Sequence, residues 1–348
     1  MMKNQDVRSK LHLVEVRDRG QTAGVFGRRL GLIGAAWVGA GLVLAMVAMW
    51  REMQTPDSLV PIQGGWLALA LASATVSFGL RALRWQTLAA AAGARASFAT
   101  SLRTQLAGFS LTLTPGKVGE IYKCYLMELE TGVPTARTAP IVLVEKLMEG
   151  IAFSTWTLLA ASIVTGLPDT VSNAVRSVAI LGLTPVLVGA LLHFGRLPGG
   201  EQLRFGFLGR LPMAERMAAW ASAAIEGARD VVRAPVLLKG LSLTLVARLA
   251  DGLALTLILR ALGVDVPAFG GILAFNLSGT VGGLSMLPGG IAAVEASLIL
   301  SLMSLGAAPG TAIAAALLSR VLSFWLWVGI GLALLTRASL RPARQIAA

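Results

Sequence analysis

"TLTPGKVGEIYK" (residues 112–123) and "SMLPGGIAAVEASL" (residues 285–298) are the two stretches whose reading decides the fold. In both, an apolar lead-in reaches a helix-breaking Pro-Gly and a glutamate follows, Glu120 five residues after Pro115 and Glu295 seven after Pro288. A helix crossing a bilayer should not hold Pro-Gly, lysines and a glutamate together, and a surface loop needs no apolar approach. The match continues downstream, because Glu145 follows Glu120 by 25 residues and Arg320 follows Glu295 by 25. Upstream, "AAGARASF" ending at Phe98 faintly matches "ALGVDVPAF" ending at Phe269. Each copy reads as a span, a broken hairpin and another span.

Composition supplies the setting. The 348 residues are 55% hydrophobic and 14% charged, far more apolar than an ordinary soluble domain. Charge-free runs at 30–50, 58–80, 150–168 and 266–294 reach the length that crosses a bilayer, about 20 residues at 1.5 Å rise. The chain therefore reads as an all-α, polytopic membrane bundle. With one cysteine, Cys124, and two histidines, His12 and His193, neither a disulfide framework nor a Cys/His metal site is expected. No cofactor is expected either.

The net charge of +12 lies mostly in tails and in loops beside apolar runs. Membrane topology and anionic lipid at the cytoplasmic face explain it without nucleic acid. Residues 1–29 are a basic tail with no evident cleavage site, so the run at 30–50 reads as an uncleaved first span. Arginine outnumbers lysine 24 to 6 amid much alanine and glycine, which points to a GC-rich bacterial genome and hence an inner (plasma) membrane.

Positive charge also sets orientation, because Lys and Arg near span ends stay cytoplasmic. The N-terminal tail and the region 196–239 hold seven each, and the tail 337–348 holds Arg337, Arg341 and Arg344, whereas 261–319 holds none. Both termini should be cytoplasmic. Spans at about 30–50 and 58–80 go out and return. The apolar stretch 104–116, 13 residues between charges, is too short to cross and reads as a re-entrant hairpin from the cytoplasm. Spans at about 138–168, 177–195, 236–262 and 309–336 follow, and parity leaves 266–305 as a second hairpin entered from outside. About six full spans plus two re-entrant hairpins result, with the halves 58–168 and 236–336 in an inverted repeat inside a membrane domain 30–336. Within the joining loop 196–235, "MAERMAAWASAAIEGARDVVR" places Met217, Trp220, Ala221, Ala224, Ile225, Ala228 and Val232 at helical spacing, an interfacial amphipathic helix.

Inverted repeats with broken helices are a common plan of secondary transporters. Irregular backbone at membrane depth survives only inside protein or along a watery cavity. Breaks at Pro115-Gly116 and at Pro288-Gly289-Gly290 would leave free N–H groups and a positive dipole end there, suited to an anion. The plain alternative is two ordinary turns matching by chance.

"TPGKVGE", "VEKLMEG", "LPGGIAAVE" and "LLSRVL", in this order and spacing, resemble the lysylphosphatidylglycerol synthase transmembrane-region family of flippase-like membrane proteins. The likeness covers roughly 65–336. In the family's bifunctional synthases this region is the half implied to move aminoacylated phosphatidylglycerol to the outer leaflet, while a soluble domain attaches the amino acid. With 12 residues after the last span, no synthase domain is expected here. Three positions depart from the family pattern: Lys146 stands where Arg is usual, Glu149 where Asp is usual, and Ala292 where Gly is usual. Lysine keeps the charge but not the bidentate fork.

Charges inside the expected spans are costly unless paired or facing a cavity, roughly 2.5 to 3.5 kcal/mol each near the bilayer centre. Glu145 and Glu149 share a helix face, and Arg248 with Asp251 can pair on theirs. The expected substrate-binding set is Lys117, Glu120, Glu145, Lys146, Glu149, Arg248, Asp251, Glu295 and Arg320, with Lys117, Lys146 and Arg320 receiving a phosphate. Structural ion pairs are the alternative for Arg248 with Asp251, and helix N-terminal stabilisation for Glu120 and Glu295. Arg81 and Arg84, read at a span end, serve either as snorkelling anchors or in headgroup access.

The function expected is non-enzymatic translocation of a polar-headed lipid between leaflets, an anionic or modified phospholipid or a polyprenyl-linked carrier. A membrane-embedded transferase or hydrolase is the rival, with Glu128-Leu129-Glu130 its best carboxylates. A non-catalytic partner of a cytoplasmic lipid-modifying enzyme, or a homodimer, also stays open.

Overall fold

The computed structural model describes residues 63–113, 118–165, 169–194, 214–264, 266–267, 269–285 and 287–339. Among them the regular structure is all helical, as expected. In chain order the helices are α1 (Gly64–Ala91), α2 (Phe98–Ser110), α3 (Val118–Thr131), α4 (Thr135–Ile163), α5 (Asp169–Phe194) and α6 (Ala214–Val231). They continue as α7 (Ala234–Ala261), α8 (Gly270–Leu284), α9 (Ala293–Ser304), α10 (Pro309–Arg320) and α11 (Leu326–Ser339). The basic tail, the expected first span at 30–50, and Pro115, Gly116 and Lys117 lie outside the described residues.

Three segments among the described residues are long and apolar enough to cross a membrane: Gly64–Ala91, Ala234–Ala261 and Pro309–Thr336, each 28 residues or about 42 Å as helix. The chain is a membrane protein. The third segment is not uniform, because α10 passes through a π-helical turn, Val321–Trp325, into α11. Such turns inside α-helices often mark functional positions, and this one begins directly after Arg320.

Two boundaries differ from the sequence reading. The first hairpin, expected at 104–116, has its limbs at Phe98–Ser110 and Val118–Thr131. The span expected at 58–80 continues as α1 to Ala91, so Arg81 and Arg84 are not at a helix end but inside the bundle, at 7% and 2% exposure. Charge normally marks a membrane edge because it is left unpaired there. Here α4 and α7 supply carboxylates to both guanidiniums, which removes the reason for the helix to stop.

Between the long helices lie two helical hairpins. In the first, α2 leads through a 3-10 turn, Leu111–Leu113, towards α3; in the second, α8 leads to the 3-10 turn Pro288–Gly290 and α9. Their limbs run antiparallel. Gly108 faces Lys123 and Gly119 across the first, while Gly282 faces Val294, and Gly270 Leu305, across the second. Limbs of 12 to 15 residues reach only about 18 to 22 Å, short of a hydrocarbon core of about 30 Å. Glycine lets the limbs approach: a Cβ on Gly119 would collide with the Gly108 carbonyl.

The halves interlock. α1 packs along α7 in the opposite direction, with Gln63 N–H bonded to the Ala261 carbonyl at one end and Leu88 beside Gly240 at the other. The first hairpin's α2 packs on α11 of the second half, and the second hairpin's α8 packs on α4 of the first half. Exchanging the halves thus exchanges the contacts. The two 3-10 turns touch each other. One apolar core gathers Leu255, Ile258 and Leu259 of α7 with Leu298 and Leu302 of α9 and alanines of α10. Another gathers Trp85 and Leu88 of α1 with Met127 of α3 and Ile141 and Met148 of α4.

Helix α6 is held against α4, where Gly227 sits so close to the Arg137 carbonyl that a Cβ would collide with it. Arg137 pairs with Asp230 at 2.9 Å and Glu226 at 3.6 Å. Ala221, Ala224, Ile225 and Ala228 are half-buried and Trp220 is exposed.

Candidate functional site

An isolated buried charge is prohibitively expensive, so the positions of the ionisable side chains in this apolar bundle follow one another. Glu145 of α4, 2% exposed, accepts from Arg84 Nε of α1 at 3.2 Å and from Lys123 Nζ of α3. One helical turn on, Glu149 accepts from Arg84 at 3.1 Å on Oε1 and from Lys146 at 3.3 Å on Oε2, and its Oε1 also forms an ion pair with Arg248 of α7 at 3.2 Å. Arg248 bonds Asp251 at 2.9 Å, and Asp251 also takes Arg81 at 2.5 Å. Lys146 reaches Glu120 in the first turn of α3 at 2.6 Å. The i, i+4 spacing of the α4 glutamates and the i, i+3 spacing on α7 put each pair on one helix face, where a single guanidinium can bridge them.

Aromatic and polar groups fix the cations further. Lys123 Nζ lies 4.3 Å above the Trp85 ring and also donates to Gln105 at 3.3 Å, while Arg248 stacks over Phe153 at 4.4 Å. Trp85 in turn donates to Thr104 at 2.9 Å. The cluster therefore joins α1, α3, α4 and α7.

The second half carries a smaller counterpart. Arg320, at the end of α10, donates Nε to Glu295 at 2.6 Å and Nη2 to the Gly289 carbonyl at 2.9 Å, with its plane 4.2 Å over Phe324. The Glu295–Arg320 pair joins the helix after the break to the next helix, as the Glu120–Lys146 pair does in the first half. The break itself needs unusual backbone: Gly289 and Gly290 have φ of 61° and 65°. Ala292, with φ 69° and ψ −45°, is the one described residue other than glycine at positive φ. That conformation is one an L-residue rarely adopts, and it costs about 1–3 kcal/mol.

Between the two sets of charges lies a cavity of ≈ 190 Å³. Arg81, Glu120, Lys146, Glu149 and Arg248 line one side, Arg320 with Gly289 and Gly290 another, and Gly279, Gly282 and Gly283 of α8 a third. Phe109 and Thr112, at the first hairpin's tip, also line it, as do Phe153, Phe275 and Phe324. A smaller space of ≈ 90 Å³ shares seven of these residues and extends to Arg84, Lys123 and Glu145. Lys146, with its side chain 41% exposed, is the most accessible of the paired cations on the wall.

Of the expected binding residues, Glu120, Lys146, Glu149, Arg248 and Arg320 border the larger cavity and Glu145 the smaller. Asp251 and Glu295 stand behind them as partners of Arg81, Arg248 and Arg320. Of the expected breaks, Pro288, Gly289 and Gly290 form the 3-10 turn; Lys117, Pro115 and Gly116 are outside the described residues. Arg81 and Arg84 belong to the centre of the ion cluster. Lys123 was missing from the expected set. It was legible in principle, three residues after Glu120 on the same helix face and flanked by apolar residues. Glu128, the rival's best carboxylate, instead accepts from the Thr135 backbone N–H at 2.7 Å and from its hydroxyl at 2.5 Å, tying the α3–α4 turn.

Comparison with curated proteins finds no significant match. The sequence model of the lysylphosphatidylglycerol synthase TM region, however, matches residues 28–331, and with most of its length covered the chain belongs to that family.

Proposed function

We propose that the protein carries the polar head of a membrane lipid between leaflets, through the cavity between its two hairpins, while the acyl or prenyl chains stay in the bilayer. The observation that carries this is the cavity itself, walled by charged side chains inside an apolar bundle and bordered by both hairpin tips. A headgroup cannot cross hydrocarbon without replacement for its hydration. Here Arg81, Lys146, Arg248 and Arg320 supply donors, and Glu120 and Glu149 acceptors.

The arrangement in the membrane follows the same reading: about six spans and two re-entrant hairpins, inverted halves, cytoplasmic termini, in a bacterial inner membrane. The antiparallel packing of α1 on α7, the reciprocal seating of the hairpins and the short limbs support it. Family membership links the chain to membrane-lipid handling. In this reading the protein makes and breaks no covalent bond. Direction comes from a gradient or a concentration difference, since the sequence holds no G-x-x-x-x-G-K-[ST] phosphate loop.

The test is leaflet-resolved transport in liposomes containing the purified chain. Fluorescent lipid should become accessible to a membrane-impermeant quencher faster than in protein-free liposomes, and Arg320→Ala and Glu145→Ala should slow it by at least about tenfold, equivalent to roughly 1.4 kcal/mol. Transport absent in the wild type, or unchanged in both variants, overturns the proposal. Chemical turnover of the lipid by the pure protein would favour an enzyme instead.

A further inference from the structure

The wall of the cavity is not electrically balanced. The connected cluster holds five cations, Arg81, Arg84, Lys123, Lys146 and Arg248, against four carboxylates, Glu120, Glu145, Glu149 and Asp251. The Arg320–Glu295 pair cancels within itself. Among the described residues one positive charge is left over, inside a bundle where uncompensated charge is costly.

Hydrogen bonding is lopsided in the same sense. Of the two carboxylates on the cavity wall, Glu149 is engaged on both oxygens by three cations and Glu120 is held by Lys146. Donors are in surplus. Arg81 and Arg248, both on the wall, each bury an Nε–H that finds no acceptor. The fully buried carboxylate oxygens that lack a donor belong to Asp251 and Glu295, neither of which lines the cavity.

Resting on the translocation reading, we propose that the cavity selects a headgroup that is a phosphate ester with net negative charge and no amine, and disfavours an aminoacylated or ethanolamine head. A phosphate supplies the missing negative charge and offers acceptors to guanidinium forks. An ammonium would add a further positive charge beside carboxylates already engaged. An acidic phospholipid and a polyprenyl phosphate share the selected chemistry. The aminoacylated lipid that the synthase resemblance implies does not. The cavity has space for the group, since a water needs roughly 10–15 Å³ and ≈ 190 Å³ takes a phosphate with several waters.

Binding separates this inference from transport. The detergent-purified full chain is titrated, by native mass spectrometry, with dihexanoyl phosphatidylglycerol, farnesyl phosphate, dihexanoyl phosphatidylethanolamine and short-chain lysylphosphatidylglycerol. The amine-free anions should bind at least about tenfold tighter than either amine-bearing head, a difference of roughly 1.4 kcal/mol. Comparison of the first two probes tells a phospholipid from a prenyl carrier. Lys146→Met, at the accessible edge of the cluster, should shrink the preference to under about threefold with unchanged melting temperature, and Arg248→Gln should weaken anion binding further. Equal or tighter binding of an amine-bearing head, absence of discrimination, or absence of all binding overturns the inference. Selective anion binding without leaflet exchange in liposomes would leave the anion site standing and remove translocation.

Discussion

Glu145 offers the sharpest measure of how the ion cluster holds the bundle together. It is 2% exposed and is shared by Arg84 and Lys123, themselves 2% and 4% exposed. Changing Glu145 to Gln keeps its volume but raises the cluster's positive surplus from one to two. Breaking one partner of a buried pair costs about 3–5 kcal/mol. Here Arg84 keeps Glu149 at 3.1 Å and Lys123 keeps Gln105 at 3.3 Å, so the lower end applies. At about 3 kcal/mol, and roughly 2 °C per kcal/mol for a chain this long, Glu145→Gln should melt about 6 °C below the wild type in detergent. Adding Lys123→Met returns the surplus to one, and removing both partners of a buried pair is often neutral, so the double variant should recover to within about 2 °C. Intrinsic tryptophan fluorescence during heating reads the wild type, Glu145→Gln alone, Lys123→Met alone and the double variant. A single variant within about 1 °C of wild type, or a double variant no more stable than the worse single one, would refute the coupling.

Glycine positions on α11 make a paired test: a Cβ at 331 would collide with the Leu106 carbonyl, whereas one at 329 meets nothing within 4 Å, so Gly331→Ala should cost about 1–3 kcal/mol while Gly329→Ala is neutral or stabilising. Ala292→Gly relieves the positive φ at the second break and should raise the melting temperature by a degree or more, worth about 1 kcal/mol; an unchanged or lowered value would show that the break carries no strain. Topology is read by an impermeant maleimide in a Cys124→Ser background: Ala308→Cys, between α9 and α10, should label from outside, and Glu130→Cys, at the foot of the first hairpin, only from the cytoplasm. Cytoplasmic labelling at 308 would sink the inverted arrangement.

The Pro-Gly echo pointed to the turn between α8 and α9, where a helix break followed by an acidic first turn is a local signal. It pointed also to the segment between α2 and α3, whose Pro115 and Gly116 lie outside the described residues. Six of the nine residues expected at the site border the cavities for a similar reason: an ionisable side chain in an apolar helix needs a partner, and α4 and α7 announce theirs at i, i+3 and i, i+4. The roles of Arg81 and Arg84 were not legible. Whether an arginine after an apolar run ends a span or enters a core depends on carboxylates 65 and 170 residues away in the chain, at Glu149 and Asp251, and no local pattern carries that. The trade between halves, α2 on α11 and α8 on α4, is equally non-local.

That trade bears on where such a chain came from. Each hairpin rests partly on its own half and partly on the opposite one, α2 on α1 and α11 and α8 on α7 and α4, so half of the chain alone would leave one side of its hairpin bare. If the two halves descend from one duplicated unit, that unit would have found the missing side of its hairpin's seat on a second copy of itself.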